Sequence, residues 1–261
     1  MCEQCLPFDQ KIVLVTGSGR GIGRAIALHF AHRGAAVVVN FFRNRQPAEE
    51  TVAQIQRMGR QALLVKANIG DLDDLGRLFD EVERHFGALD ILVCNAASGY
   101  NRPAMQQKPK GWDWTMNINA RSLLFAAQRA VPLMEKRGGG FIVSVSSPGA
   151  TRVLPDYAVV GASKAALEAL TRHLAVELAA RKIVVNAVSP GIVATEALEH
   201  FDTLKGDGTI ARTIANTPAG RMVTPEDVAA VVAFLCSPAA AMICGQVITV
   251  DGGYTLPVPG I

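Results

Sequence analysis

The sequence predicts an α/β fold: a doubly wound parallel sheet with helices on both faces, built as a single domain. Three observations carry that expectation. Short β-branched runs alternate with amphipathic segments, a glycine-rich turn follows the first run directly, and no break in composition separates two cores. The first strand is expected at IVLV (12–15), since an unbroken apolar run suits a strand buried on both faces. A helix follows over 21–32, then a second strand at AAVVV (35–39) and a helix near 47–58. ALLV (62–65) is the third strand and 71–85 the next helix. DILVCN (90–95) leads to a long helical segment over 112–134, and FIVSVSS (141–147) to another over 156–180. IVVNAVS (183–189), a helix over 225–235 and QVITV (246–250) complete the alternation. Residues 1–10 read as a flexible N-terminal segment before a domain over 11–261. The stretch near 196–220, rich in Gly, Thr and charge, reads as a substrate lid after a strand end.

With 261 residues, 49% of them apolar, the chain can bury a full core. A net charge of +3 is too weak to argue for nucleic acid, and no basic run interleaves with aromatics. The apolar stretches are of strand length, far short of a membrane span. Five scattered cysteines without a signal peptide read as reduced thiols, which points to the cytoplasm. Cys2 and Cys5 form a lone CxxC that no second pair or His cluster completes, so no metal site is expected. No serine stands beside a base, which argues against hydrolysis.

The turn after the first strand, Gly17-Ser18-Gly19-Arg20-Gly21-Ile22-Gly23, opens directly into a helix. Its glycines let backbone approach a pyrophosphate, and the helix start supplies free N–H groups and a positive dipole end. After the second strand comes Phe41-Phe42-Arg43-Asn44-Arg45, with no Asp or Glu to grip a ribose 2′-hydroxyl. A carboxylate there would repel a 2′-phosphate, whereas Arg20 with Arg43 or Arg45 can pair with one, so the expected cofactor is NADP(H). Asn95, Ala96 and Ala97 follow the fourth strand, where small side chains admit cofactor contacts to the backbone.

Tyr157 and Lys164 stand seven residues apart in the helix expected over 156–180. Two helical turns are about 700° and about 10 Å, so phenol and ammonium would share one face. A phenol beside a fixed cation is a proton donor, and a lysine flanked by Ala and Leu needs a partner.

Further motifs carry a resemblance: TGSGRGIG (16–23), CNAAS (94–98), Asn119 in MNINA, Ser146-Ser147, GASKAALEAL around Lys164, PGIVAT (190–195) and the late VDGG. Together they resemble the short-chain dehydrogenases/reductases over nearly the whole chain, which implies a Rossmann-like fold. That family places a Tyr four residues before the Lys, and here that position is Val160. Either catalysis has been lost or Tyr157 has taken the role. The segments NAASGYNRP, WDWTMNINA with Trp112 and Trp114, and NTPAGRM resemble the NADPH-dependent enoyl-acyl-carrier-protein reductase III branch, whose motif is a Tyr, six residues and a Lys. The resemblance implies a catalytic set of Tyr157, Lys164, Ser147 and Asn119. Lys164 would also hold the nicotinamide ribose and favour phenolate character in Tyr157. Asn119 would bend its helix and anchor Lys164 through a water. To the cofactor set the resemblance adds Asn68, Ile69, Pro190, Gly191, Ile192 and Thr195, and to the substrate set Ser98, Tyr100 and Arg102 with Tyr157.

The longer spacing suits conjugate reduction. In an enoyl thioester, hydride goes to the β-carbon while charge appears on the distant thioester oxygen, which a phenol one turn farther from the Lys can reach. The expected activity is therefore NADPH-dependent reduction of a trans-2-enoyl thioester. Its carrier would be an acyl carrier protein or CoA, with Arg102, Lys108, Arg152 or Lys205 steering an acidic carrier. Alternatives are an NADPH-dependent ketoreductase or alcohol dehydrogenase, and an inactive nucleotide-binding regulator. Apolar residues beyond one stripe on the two long helices point to a homo-oligomer, and the resemblance to a tetramer rather than a dimer.

Overall fold

The computed structural model describes residues 6–195 and 209–257. Its strands are β1 (Ile12–Val15), β2 (Ala36–Phe41), β3 (Ala62–Lys66), β4 (Ile91–Cys94), β5 (Gly140–Val145), β6 (Ile183–Pro190) and β7 (Val247–Val250). Between them run α1 (Gly21–His32), α2 (Arg45–Arg57), α3 (Leu72–Phe86), α4 (Pro109–Met116), α5 (Ser122–Glu135), α6 (Ala158–Ala179), α7 (Thr209–Ala215) and α8 (Pro225–Leu235). The strands form one parallel sheet in the order β3-β2-β1-β4-β5-β6-β7. Val13 pairs with Val37 on one side and Ile91 on the other, so the chain starts at the centre, winds outward to β3, and returns to start again at β4. That reversal leaves a crevice beyond the carboxyl ends of β1 and β4.

The continuous apolar strands are explained by a core on each face. Ile26, Phe30, Ile55, Val228 and Val232 from α1, α2 and α8 pack on one. Leu75, Leu78, Leu123, Met134, Leu167 and Leu174 from α3, α5 and α6 pack on the other. Helix ends follow local chemistry. Asp71 caps α3 by accepting from Asp74 N at 2.9 Å, and Gly87, at φ 74°, closes it.

The segment over 112–134 is helical throughout, as expected, with a π-helical turn at Asn117–Arg121 dividing it into α4 and α5. Other details of the expected elements differ. Tyr157 is the N-cap of α6, at φ −108° and ψ 8°, and not a residue within it. Asp156, at φ 57°, and Pro155 before it hold the chain out of helical geometry up to that point. The flexible segment of 1–10 does not extend through its second half: Phe8 is buried edge-on against Phe30, and its N–H donates to Arg33 O at 2.9 Å. Of the lid near 196–220, residues 196–208 lie outside the described residues. The remainder includes α7 and the buried Thr213 and Thr217, and so has a defined fold.

Among the described residues no helix is long and apolar enough to cross a membrane, and no group of three His, Cys, Asp or Glu could hold a metal. Cys2 and Cys5 lie outside them.

Candidate active site

A cleft of about 700 Å³ opens at the reversal point, over the ends of β1, β2 and β4. Its floor is built by close packing. Gly17 has φ +63°, and a Cβ there would lie 2.9 Å from Ala96. A Cβ on Gly23 would lie 2.4 Å from both the Asn95 amide nitrogen and Gly17 O, so α1 can begin against the turn only with glycine there. The first turn of α1 has no acidic residue, and Arg20 provides no side-chain cap, which leaves a positive helix end facing the cleft. Gly17, Gly19, Arg20, Gly21, Ile22, Gly23, Arg43, Asn68, Ile69, Asn95, Ala96, Ala97 and Thr195 all line it. No carboxylate does so among the described residues. Arg45 instead turns along α2 to pair with Glu49 at 2.7 Å.

Some expected contacts are otherwise engaged. Ser18 is fully buried; its hydroxyl donates to Val15 O at 2.7 Å and its N–H to Asn40 O, so it braces the turn and faces no ligand. Pro190 is buried, Gly191 N donates to Val250 O at 2.9 Å, and neither they nor Ile192 line the cleft. Ser98, expected on the substrate side, lies in the nucleotide cleft, where its hydroxyl accepts from Trp114 Nε1 at 2.9 Å. Tyr100 is 55% exposed, and Arg102 N donates to Asp156 O at 2.8 Å, tying the strand exit to the loop before α6.

Sequence reasoning missed two polar braces. Asn40 Oδ1 accepts from Gly17 N at 3.1 Å while its amide donates to Val65 and Ala67 carbonyls, so it couples three strand ends. A lone polar residue in the run AVVVNF was the available signal. Buried Glu168 accepts from Ser146 Oγ at 2.6 Å, and it stands four residues after Lys164, one turn along α6.

Lys164 is buried and donates from Nζ to Val145 O at 2.7 Å. Burial pulls its ammonium down to about 8, opposed in part by electrostatic interaction with Cys94 and Glu168. Burial also pushes the Cys94 thiol up to about 12, so it is neutral where Lys164 titrates.

Tyr157 donates to Ser147 Oγ at 3.3 Å, and Ser147 Oγ also accepts from Gly149 N at 3.2 Å. Its ring lies over Gly149, where an added Cβ would come within 2.5 Å of ring carbons. Burial raises the phenol pKa and the Ser147 hydrogen bond lowers it in part. Asn119 sits in the π turn, its Oδ1 accepting from Ser98 N and its Nδ2 donating to Ser163 Oγ, each at 2.9 Å. Val160, where the family has its usual Tyr, is 7% exposed and packs so closely on Gly99 that a Cβ there would lie 2.4 Å from it.

Beside Tyr157 a second cleft of about 590 Å³ is walled by Pro103, Ala104, the loop over 149–156 and the first turns of α6. Its lining is mainly small and apolar, with Arg152 at one side. Among the described residues the two clefts share no lining residue, and Tyr157, bonded to Ser147, lines the second.

This architecture has close counterparts. The family model described as enoyl-(acyl carrier protein) reductase matches residues 17–255. A 1-cyclohexenylcarbonyl-CoA reductase of Streptomyces collinus is 38% identical over 250 residues, covering 96% of this chain and 89% of that protein. The hydroxynaphthalene reductase-like protein Arp2 of Metarhizium brunneum is 40% identical over 253 residues, covering 93% and 94%. A structure of 7α-hydroxysteroid dehydrogenase complexed with NADH and 7-oxo glycochenodeoxycholic acid superposes with a TM-score of 0.90 at 34% identity, covering 97% of each chain. Likeness of this extent, over a sheet reversed beside a glycine-lined cleft, makes the chain a member of the short-chain dehydrogenase/reductase family of oxidoreductases.

Proposed function

We propose that the chain reduces the carbon–carbon double bond of a trans-2-enoyl thioester, using NADPH. The observation that carries this reading is the displaced acid: the family's usual Tyr position is filled by Val160 packed on Gly99, while Tyr157 carries the hydroxyl bonded to Ser147. The cleft chemistry fits a dinucleotide, with a glycine floor, an uncapped helix start and, among the described residues, two arginines and no carboxylate. NADPH, when bound, supplies the hydride. Gly17 to Gly23 would hold its pyrophosphate, Arg20 and Arg43 its 2′-phosphate, and Asn68 and Ile69 would border the adenine. Lys164 would hold the ribose nearest the reacting ring.

Tyr157 has the character of a hydrogen-bond donor. Burial keeps its phenol protonated at neutral pH, so it can stabilise negative charge growing on the thioester oxygen. Ser147 orients that hydroxyl and could share the same oxygen. The apolar second cleft suits an acyl chain. Arg152 lines that cleft, and with Arg102 and Lys108 it would steer an acidic carrier protein; Lys205 lies outside the described residues. The Streptomyces relative supports this class, since its name denotes an α,β-unsaturated CoA thioester. Self-association, as a tetramer in preference to a dimer, belongs to the same reading; Val176 on α6, 80% exposed, is an apolar residue such contact would cover.

A second reading, reduction of an aromatic-derived ketone, is favoured by the Metarhizium relative. Supplying NADPH with crotonyl thioester, acetoacetyl thioester or a hydroxynaphthalene-type ketone separates them. The enoyl reading requires rapid consumption of the crotonyl thioester and at least ~100-fold loss in Tyr157→Phe, the lower range for a lost electrostatic donor. Undiminished turnover by a folded Tyr157→Phe protein would sink it.

A further inference from the structure

The nucleotide cleft is bridged at its β2 end by a cluster that neither the glycine motif nor the Tyr–Lys pair explains. The Arg43 guanidinium lies 5.6 Å from the Phe42 ring centroid and 5.5 Å from that of Trp114. The two rings are 6.4 Å apart, one from the end of β2 and the other from α4. Both distances to Arg43 are within reach of a cation–π contact. Phe42, Arg43 and Trp114 all line the cleft. The indole is itself held: Trp114 Nε1 donates to Ser98 Oγ at 2.9 Å, and Ser98 N donates to Asn119 Oδ1 at 2.9 Å. A flexible arginine on an exposed strand end is thus placed by an aromatic surface whose orientation is set from the cleft floor. Arg45, two residues on, shows the ordinary alternative by pairing with Glu49 on its own helix.

We propose that Trp114 is a specificity-determining residue for the nucleotide, holding the Arg43 guanidinium over the cleft so that a 2′-phosphate meets a preoriented cation. This rests on the NADPH reading above. A planar guanidinium can keep one face on an aromatic ring while its edge donates two parallel hydrogen bonds to phosphate. Without the indole, Arg43 must lose its side-chain freedom on binding, and affinity for the phosphorylated nucleotide falls. A nucleotide lacking the 2′-phosphate does not use Arg43 and is unaffected.

The test is titration calorimetry of the intact protein with 2′,5′-ADP and 5′-ADP, repeated with NADPH and NADH, on wild type and on Trp114→Leu, Trp114→Phe, Arg43→Ala and Arg43→Lys. Trp114→Leu is expected to weaken 2′,5′-ADP and NADPH about 3- to 10-fold, the span of a cation–π contact, while 5′-ADP and NADH change less than about twofold. Trp114→Phe keeps a ring and most of the preference. Arg43→Ala removes the share of the preference that Arg20 does not supply, and adding Trp114→Leu to it costs nothing further. Arg43→Lys, which keeps charge but not the planar stack, falls between, and tests the proposal if the Leu variant does not fold. Equal weakening of both nucleotide classes by Trp114→Leu would make the indole a plain adenine wall and overturn the proposal. So would an Arg43→Lys protein equal to wild type. If wild type itself shows no preference for the 2′-phosphate, the NADPH reading fails first, and the clamp with it.

Discussion

Lys164 is held as a cation in a place that disfavours cations, and the pH dependence of stability should show it. Its pKa lies near 8 when folded against the ordinary 10.5 of a lysine, lowered chiefly by burial. Below 8 it is protonated in both states and the burial penalty is complete; between 8 and 10.5 the unfolded chain binds more protons, so stability rises with pH through that window. Urea unfolding of wild type and Lys164→Met at pH 7 and pH 10.5 checks this: wild type should gain stability relative to the Met variant, which has no ammonium to discharge, between the two pH values, and an equal difference at both would refute it. Val160→Tyr tests the neighbouring position: a phenol there must displace Gly99, and overpacking should cost about 1–3 kcal/mol in the same assay. The Tyr157–Lys164 relation was legible because spacing within one segment is a local property. Glycine-turn logic says which residues bend and not which hydroxyl turns inward, as that of Ser18 does to Val15 O. The Arg43–Trp114 contact joins residues about seventy positions apart, and no local pattern announces it.

At the scale of elements, the strands and most helices were legible, because seven parallel strands covered on both faces demand apolar runs and amphipathic covers of the kind the sequence shows. What was not legible depends on tertiary hydrogen bonds. The π turn at Asn117–Arg121 places Asn119 between Ser98 and Ser163, and helical periodicity does not register such bonds. The start of α6 at Ala158 follows from the left-handed Asp156. Helix α8 offers a clean test of local stabilisation. Thr224 Oγ1 accepts from Asp227 N at 3.2 Å, and Asp227 Oδ2 accepts from Thr224 N at 2.9 Å, a complete capping box. Thr224→Ala should cost about 1 kcal/mol, seen as a lower urea midpoint with an unchanged slope. The Asp227 carboxyl is held well below the usual range, first by its hydrogen bond to Arg221 and then by Thr224. Its contribution is therefore present above the unfolded carboxylate pKa and is lost progressively as pH falls from there toward the folded value; Thr224→Ala keeps the Arg221 pair and the Thr224 N–H bond, so most of this pH dependence should persist in the variant.

For the whole molecule, the consequential feature is that two clefts sit on one edge of the sheet without a common lining residue among the described residues. One is built from β1, β2 and β4 ends; the other from the loop after β5 and the start of α6. Nucleotide binding should then stabilise the fold without regard to the acyl side. At a hundred times its dissociation constant a ligand adds about 2.7 kcal/mol, and each kcal/mol moves the midpoint of a chain of this size by about 2–4 °C. Saturating NADPH is thus expected to raise the melting temperature by about 5–10 °C. Leu154→Ala, which alters only the wall of the second cleft, should keep that rise within error while raising KM for an enoyl thioester more than it lowers kcat. Lys164→Met should lose part of the rise. A Leu154→Ala protein that lost the NADPH stabilisation would show that the clefts are energetically one site. An unchanged KM would show instead that the acyl chain lies elsewhere, and the role of Tyr157 would then have to be sought from the nucleotide side.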